Sequence, residues 1–451
     1  MSSAAAALER PLTSQRADSI VRSLVQGSAL FLFALAHMQD IETLLCPVSL
    51  FLVIIAFLPD ISLYRYKPSV FLPVLLWAVY IPCLCLIHGN FGDGSWPDVF
   101  RRGGRIIYTL SIFVVFAHIR PHVRVERLVM FASMLAASLV ATACLFSFFV
   151  HPIVIGEASL STPNFITGLM GPTGKNPMAA VMGTILVLAT ADWLHAFEHR
   201  ELRKLPWLAP LLALPVLVTF VFCKSRTWVL AFAIVGAIAA FRAMRRDVRI
   251  RSFIILGGIA VVLAGTVASI DRKRQPEGTE STEFRLVMWN RALHYIIDSP
   301  LLGIGIGTFE QKHVHLQTIV PNLITIRTAG EFQERCQSQN DPNGGMNVHN
   351  GYLNTWTDFG IVGLALYGWL VWELIGTIRT VLSSRLRRER SLRAQWSSAT
   401  WAATVASLTL IYMCVGALAE GYVFYGPNSP MFLVIAFGRL VALRQTFAAQ
   451  A

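Results

Sequence analysis

Apolar runs long enough to cross a bilayer as helices, roughly 17–25 residues each, recur about every 30 residues along this chain. Short polar connections separate them. The pattern predicts spans at about 21–37, 41–59, 69–89, 105–119, 127–150, 176–196, 206–222, 226–242, 252–270, 352–376, 397–418 and 430–446. One long polar interval, 271–351, interrupts the series. It carries helical patterning at 283–298 ("EFRLVMWNRALHYIID") and at 308–319, then a turn-rich stretch, "CQSQNDPNGG" (336–345). The expectation is an all-α, polytopic integral membrane protein of about 12 transmembrane helices with one large external loop. Its parts are spans one to nine (1–270), the loop domain with short helices (271–351), and spans ten to twelve (352–451). No internal repeat or low-complexity domain is visible.

Composition agrees with the pattern. Of 451 residues, 55% are hydrophobic and 14% charged, too little polar surface for a soluble chain of this length. The net charge of +12 then signals basic cytoplasmic loops before it signals nucleic acid. Those loops are "RYK" (65–67), "RPHVRVER" (120–127), "HRELRK" (199–204), "RAMRRDVRIR" (242–251) and "RTVLSSRLRRERSLR" (379–393). All fall on one side of the predicted topology, so both termini are expected in the cytoplasm and the large loop outside. The N-terminal stretch carries Glu9 and Asp18 and no cleavable leader, so the first span is expected to act as its own signal. Five of the seven cysteines lie in apolar runs; only Cys223 and Cys336 stand where a disulfide is conceivable.

Basic residues on the external side oppose the orientation bias and need a reason. Arg101, Arg102 and Arg105 stand beside the fourth span, and Lys175 and Asn176 begin the sixth. Lys224 and Arg226 occupy a very short turn between spans seven and eight, and Arg285 and Arg291 lie in the large loop. Together they suggest an anion site at the outer membrane boundary, since the guanidinium fork suits phosphate. A bland alternative stands beside each. The arginines beside the fourth span suit snorkelling, Lys175 with Pro177 suits an ordinary helix start, and Arg285 with Trp289 at i+4 suits a solvated face. Arg226, at the edge of an apolar helix, is harder to dismiss.

"MNVHNGYLNTWTDFGIVGL" (346–364) places His349 and Asn350 where the chain re-enters the membrane. A neutral imidazole there is able to take a proton from a hydroxyl; a capping role is the plain alternative. Gly360 and Gly363 read as close helix-packing residues. "HVH" (313–315) offers two imidazoles, but Glu310 and Glu334 are scattered, so no metal and no cofactor are expected.

These segments resemble the O-antigen ligase and polymerase superfamily. "HNGYLNTWTDFGIVG" fits its pattern of His, Asn, nine residues, Gly, two residues, Gly. "PLLGIGIGTF" (300–309), "RLVMWNRAL" (285–293), "SRTWVLAF" (225–232) and "GKNPMAA" (174–180) look like its other motifs, in order. The resemblance implies a GT-C-like glycosyltransferase bundle in the bacterial inner membrane. It implies a donor glycan on undecaprenyl pyrophosphate, and lipid A–core oligosaccharide as acceptor for the ligases. It carries catalytic roles onto His349, Arg285 and Arg226, with a periplasmic active site. Lys175, Asn176, Lys224, Arg101, Arg102, Arg105, Asn350 and Glu420 are the accompanying candidates for substrate contact. A polymerase, a protein O-oligosaccharyltransferase and, from another class, a transporter are the competing readings. The spans hold few charges of the kind a transporter needs.

Overall fold

The computed structural model describes residues 12–38, 45–61, 68–88, 96–120, 123–155, 158–161, 166, 175–198, 208–244, 280–306, 308–311, 348–382, 393–418 and 431–450. The helices are α1 (Leu12–His37), α2 (Leu45–Phe57), α3 (Pro68–His88), α4 (Trp96–His118), α5 (Val123–Phe149), α6 (Lys175–Glu198) and α7 (Leu208–Phe222). They continue with α8 (Arg226–Met244), α9 (Glu280–Asp298), α10 (Thr308–Gln311), α11 (Gly351–Leu382), α12 (Arg393–Gly416) and α13 (Met431–Gln450). One antiparallel ladder of two residues a side, Val154–Ile155 with Ala158–Ser159, is the β-structure among them. Seven of the described helices are long and apolar enough to cross a membrane, and shorter apolar helices cover Leu45–Asp60, Gly103–His118 and Leu211–Phe222. This is the make-up of a multi-pass helical membrane protein. The expected ninth span, most of the large loop and the "HVH" stretch lie outside the described residues.

Small residues let the central helices approach closely. Ala136, Ala137, Ala141, Ala179, Ala402, Ala403 and Ala406 are all buried where α5, α6 and α12 meet. At Gly183 a Cβ would overlap the Tyr412 hydroxyl, which donates to the Ala179 carbonyl at 3.2 Å. Polar contacts define the bundle's two ends. At one end Asp60, Arg120, Glu126, Thr377, Arg439 and Arg444 bond to one another or to nearby backbone. At the other end the close of α12 meets the start of α11.

Two sequence expectations need correction. The apolar pattern starts the fourth span at 105, but the helix begins at Trp96. Arg101, Arg102 and Arg105 therefore lie within it, because Gly103 lets α4 settle against Ile81 and Cys85 of α3. Gly360 is not a simple packing glycine. It breaks α11 with φ 63° and ψ −169°. The N–H groups released after the break donate to segment 300–301, Ile361 to Pro300 (2.8 Å) and Val362 to Leu301 (3.3 Å), while Ile304 donates to Thr357 (2.8 Å). The glycine loop 303–305 thus plugs a broken helix, the arrangement that satisfies non-helical backbone within a membrane protein. A Cβ on Gly360 would overlap the Leu301 carbonyl. Gly360→Ala is expected to cost more than the ~1–2 kcal/mol of left-handed backbone alone, seen as a lower unfolding temperature in detergent. An unchanged temperature would mean that the break is not needed.

Candidate active site

His349 is held between two anchored neighbours. Val348 is fully buried in a small core with Met288, Ala292, Tyr295, Ile304 and Phe309, which joins α9 and the glycine loop to the approach of α11. Asn350 caps α11: its Oδ1 accepts the N–H groups of Tyr352 and Leu353, both at 3.1 Å. Its Nδ2 donates to the Leu418 carbonyl at 3.3 Å. Both ends of the Asn350 amide therefore serve the fold. The Gly351 N–H donates to Ala417 at 2.7 Å, so the start of α11 and the close of α12 are tied.

Between these anchors the His349 backbone is left-handed, φ 50°. Histidine tolerates this region better than most residues, yet such strain persists only where surrounding structure imposes it. Among the described residues one other non-glycine has positive φ, Lys224 at 54°. Both belong to the candidate set.

Arg285, on α9, acts electrostatically on the half-buried His349. Burial first, and the Arg285 charge second, lower the His349 pKa to about 4. The imidazole is thus neutral at ordinary pH. Arg291, one and a half turns further along α9, braces the small core instead. Its guanidinium lies 4.9 Å from the Phe309 ring and 5.6 Å from the Tyr295 ring.

Arg226 is the first residue of α8 and is exposed. The turn before it is tight: Cys223 N–H donates to Thr219 and Lys224 N–H to Val221. Trp228, buried just below, is pressed against Gly416, where a Cβ would overlap the ring. Gly416 immediately precedes the residues that bind Asn350 and Gly351. The Arg226 turn and His349 therefore flank the same end of α12. Cys223 is buried and is a free thiol among the described residues; Cys336, its conceivable disulfide partner, lies outside them.

The stretch of α4 that carries Arg105 approaches the end of the glycine loop through Gly103. Gly103 approaches Ile306, and Gly305 approaches His88 at the end of α3. Arg101 and Arg102 lie on the same turn of α4. Lys175 is the first residue of α6, and Asn176 is half-buried. Glu420 lies outside the described residues.

Sequence reasoning missed two participants. The Tyr80 hydroxyl donates to the Phe359 carbonyl at 2.6 Å, one of the acceptors exposed by the break in α11. Asp358, 1% exposed, sits at the same break. A carboxylate within a span was the available signal.

The fold and this cluster define a class: a multi-pass helical membrane protein with cationic and imidazole groups gathered at one end of the bundle. Residues 210–368, which include Arg226, Arg285, the glycine loop, His349 and the α11 break, match the family described as O-antigen ligase, a match that supports membership of the O-antigen ligase superfamily. No curated protein gives a significant match to the chain.

Proposed function

We propose that this protein is an O-antigen ligase of the bacterial inner membrane. It moves a polysaccharide from undecaprenyl pyrophosphate to a hydroxyl of lipid A–core oligosaccharide at the periplasmic face, with both termini cytoplasmic. The family match supports a transferase of this superfamily. The carrying observation is Arg285 acting on the neutral, half-buried imidazole of His349 at the end of the bundle to which the Arg226 turn also belongs.

The chemistry is a single displacement. The acceptor oxygen forms a bond to the anomeric carbon, the bond from that carbon to the pyrophosphate oxygen breaks, and the configuration inverts. The hydroxyl proton passes to the neutral imidazole of His349. Negative charge grows on the departing pyrophosphate, and the guanidinium groups of Arg226 and Arg285 stabilise it. Such fixed donors are worth most in a site shielded from water. Because the arginines carry the charge stabilisation, the reaction is expected to proceed in EDTA. Lys224 and Arg105 extend the cationic rim.

The test is transfer in vitro by purified protein, with undecaprenyl pyrophosphate–glycan and lipid A–core, in EDTA. Arg226→Ala and Arg285→Ala are each expected to lower kcat by about 10²–10³-fold. Lysine at either position restores only part, since it lacks the planar fork. Chain growth on the lipid-linked glycan without transfer to lipid A–core would make the protein a polymerase instead. Wild-type rates in both alanine variants would remove the arginines from the mechanism.

A further inference from the structure

Cys144 on α5 and Cys223, just past the end of α7, are both 0% exposed and both free thiols. Two contacts bracket them. One turn below, the Thr219 hydroxyl donates to the Ala141 carbonyl at 3.2 Å. One turn above Cys144, the Phe148 ring lies 5.3 Å from that of Phe222. The contacts rise together, 141 with 219 and 148 with 222, so α5 and α7 run parallel here. Cys144 lies three residues beyond Ala141. Cys223 lies four beyond Thr219, to whose carbonyl its N–H donates at 2.9 Å. Residues three and four apart share a helix face, so both thiols stand on the faces that touch. They also interact electrostatically. Packed helices lie ~8–10 Å apart axis to axis, with Cα atoms about 2.3 Å off each axis. Facing Cα atoms then come within the ~7 Å that a disulfide spans.

Alone, Cys144 reads as a small hydrophobe. A companion and a compartment change that reading. In the topology proposed above, this end of α5 and α7 is periplasmic, and disulfides form and persist there.

Resting on that topology, we propose that Cys144 and Cys223 are a redox pair whose closure to a disulfide draws the Arg226 turn out of register with His349. The oxidant is the disulfide of a small thiol or of an oxidoreductase. Cys223 attacks one of its sulfurs and releases a thiol. Cys144 then attacks the mixed disulfide at the Cys223 sulfur and releases the second thiol. Two cysteine thiols and one disulfide thus become one Cys144–Cys223 bond and two thiols, with two electrons passed to the oxidant. Cys223 is the point of entry, because a helix end opens more readily than the interior of α5.

The turn has little slack to absorb the new bond. Lys224 is left-handed, Arg226 begins α8, and Trp228 is pressed against Gly416 of α12. Drawing Cys223 toward α5 therefore shifts Arg226 relative to the end of α12 that anchors Asn350 and Gly351. A misplacement of about 1 Å can cost about 10²-fold in rate.

The test treats wild-type protein in nanodiscs with dithiodipyridine, a small apolar disulfide. Remaining thiols are blocked with N-ethylmaleimide after denaturation, and peptides are mapped without reduction. The peptide holding Cys144 is expected joined to the one holding Cys223. Glycan transfer should fall about tenfold or more, and dithiothreitol should restore it. The double variant Cys144→Ala/Cys223→Ala should keep its transfer rate under the same oxidant, with the unfolding temperature checking that it folds. Exposed Cys83 reacts in both proteins, so its effect cancels in the comparison. Separate blocking of Cys144 and Cys223 after oxidation would overturn the proposal. So would a closed pair that transfers at the full rate, or an equal loss in the double variant. An open pair in a protein that transfers glycan would sink this inference alone. Closure in a protein that transfers nothing in either state would leave the redox pair standing and sink the transferase reading.

Discussion

His349→Ala is expected to lower glycan transfer by about 10²–10⁴-fold, the usual contribution of a positioned proton acceptor. The left-handed backbone at this residue complicates the variant, because alanine disfavours φ 50°. His349→Asn separates the two effects: asparagine tolerates this backbone but supplies no base. Both variants should lose transfer, and the asparagine variant should unfold close to the wild-type temperature. Full activity in His349→Asn would leave the histidine a structural residue.

The pH dependence gives a sharper signature. In the proposed mechanism the reactive form is the neutral imidazole, so kcat/KM should hold down to acidic pH and fall on a limb near pH 4. Arg285→Ala removes one of the two causes of the lowered pKa, so the limb should move upward. It should stay below 6.5, because burial, the larger cause, remains. Bound pyrophosphate offsets the Arg285 charge, so the limb in kcat should lie above that in kcat/KM. The same group affects stability. Its folded pKa lies below its unfolded value, so its contribution is complete above pH 6.5 and is lost as pH falls from there through about 4. An acid limb that ignores Arg285→Ala would separate the two residues functionally.

Arg439→Ala is expected to be the most destabilising of the single changes at the other end of the bundle. Arg439 on α13 is 1% exposed and Glu126 at the start of α5 is 3% exposed. The guanidinium donates to the Glu126 carboxylate at 2.7 and 3.0 Å, and to the carbonyls of Phe116, Ile119 and Arg120. One side chain thereby fastens the end of α4, the start of α5 and the middle of α13. Removing it leaves a buried carboxylate and three carbonyls short of donors, a loss of about 3–5 kcal/mol. Thermal unfolding and gel filtration in detergent would show it. The double variant Arg439→Met/Glu126→Leu should recover much of the loss, since no charge is then stranded. An Arg439→Ala protein as stable as wild type would show that the pair does not hold the helices.

Local pattern made most of the helices legible. Apolar runs forecast the apolar stretch of each described span, except at α4, where a polar turn with two glycines concealed a continuing helix. The amphipathic stretch at 283–298 emerged as α9 almost unchanged. Motif spacing brought Arg226, Arg285 and His349 forward together, and the family match covers all three. The capping role of Asn350 was not legible, because a cap and a ligand use the same amide and only its partners show the cap. Asp358 was overlooked because a carboxylate or two barely alter the apolar pattern of so long a helix.

By itself the sequence determined the class of protein, the run of helices and the short list of chemically able residues. These depend on nearest-neighbour periodicity and composition, which the chain carries locally. Tertiary structure alone decided that α11 breaks at Gly360 to receive the glycine loop, that His349 is left-handed between Val348 and Asn350, and that Arg285 acts on its imidazole. Each depends on contacts between segments far apart in the chain. The partner of a freed N–H, and the charge beside an imidazole, are set by packing that no local pattern encodes.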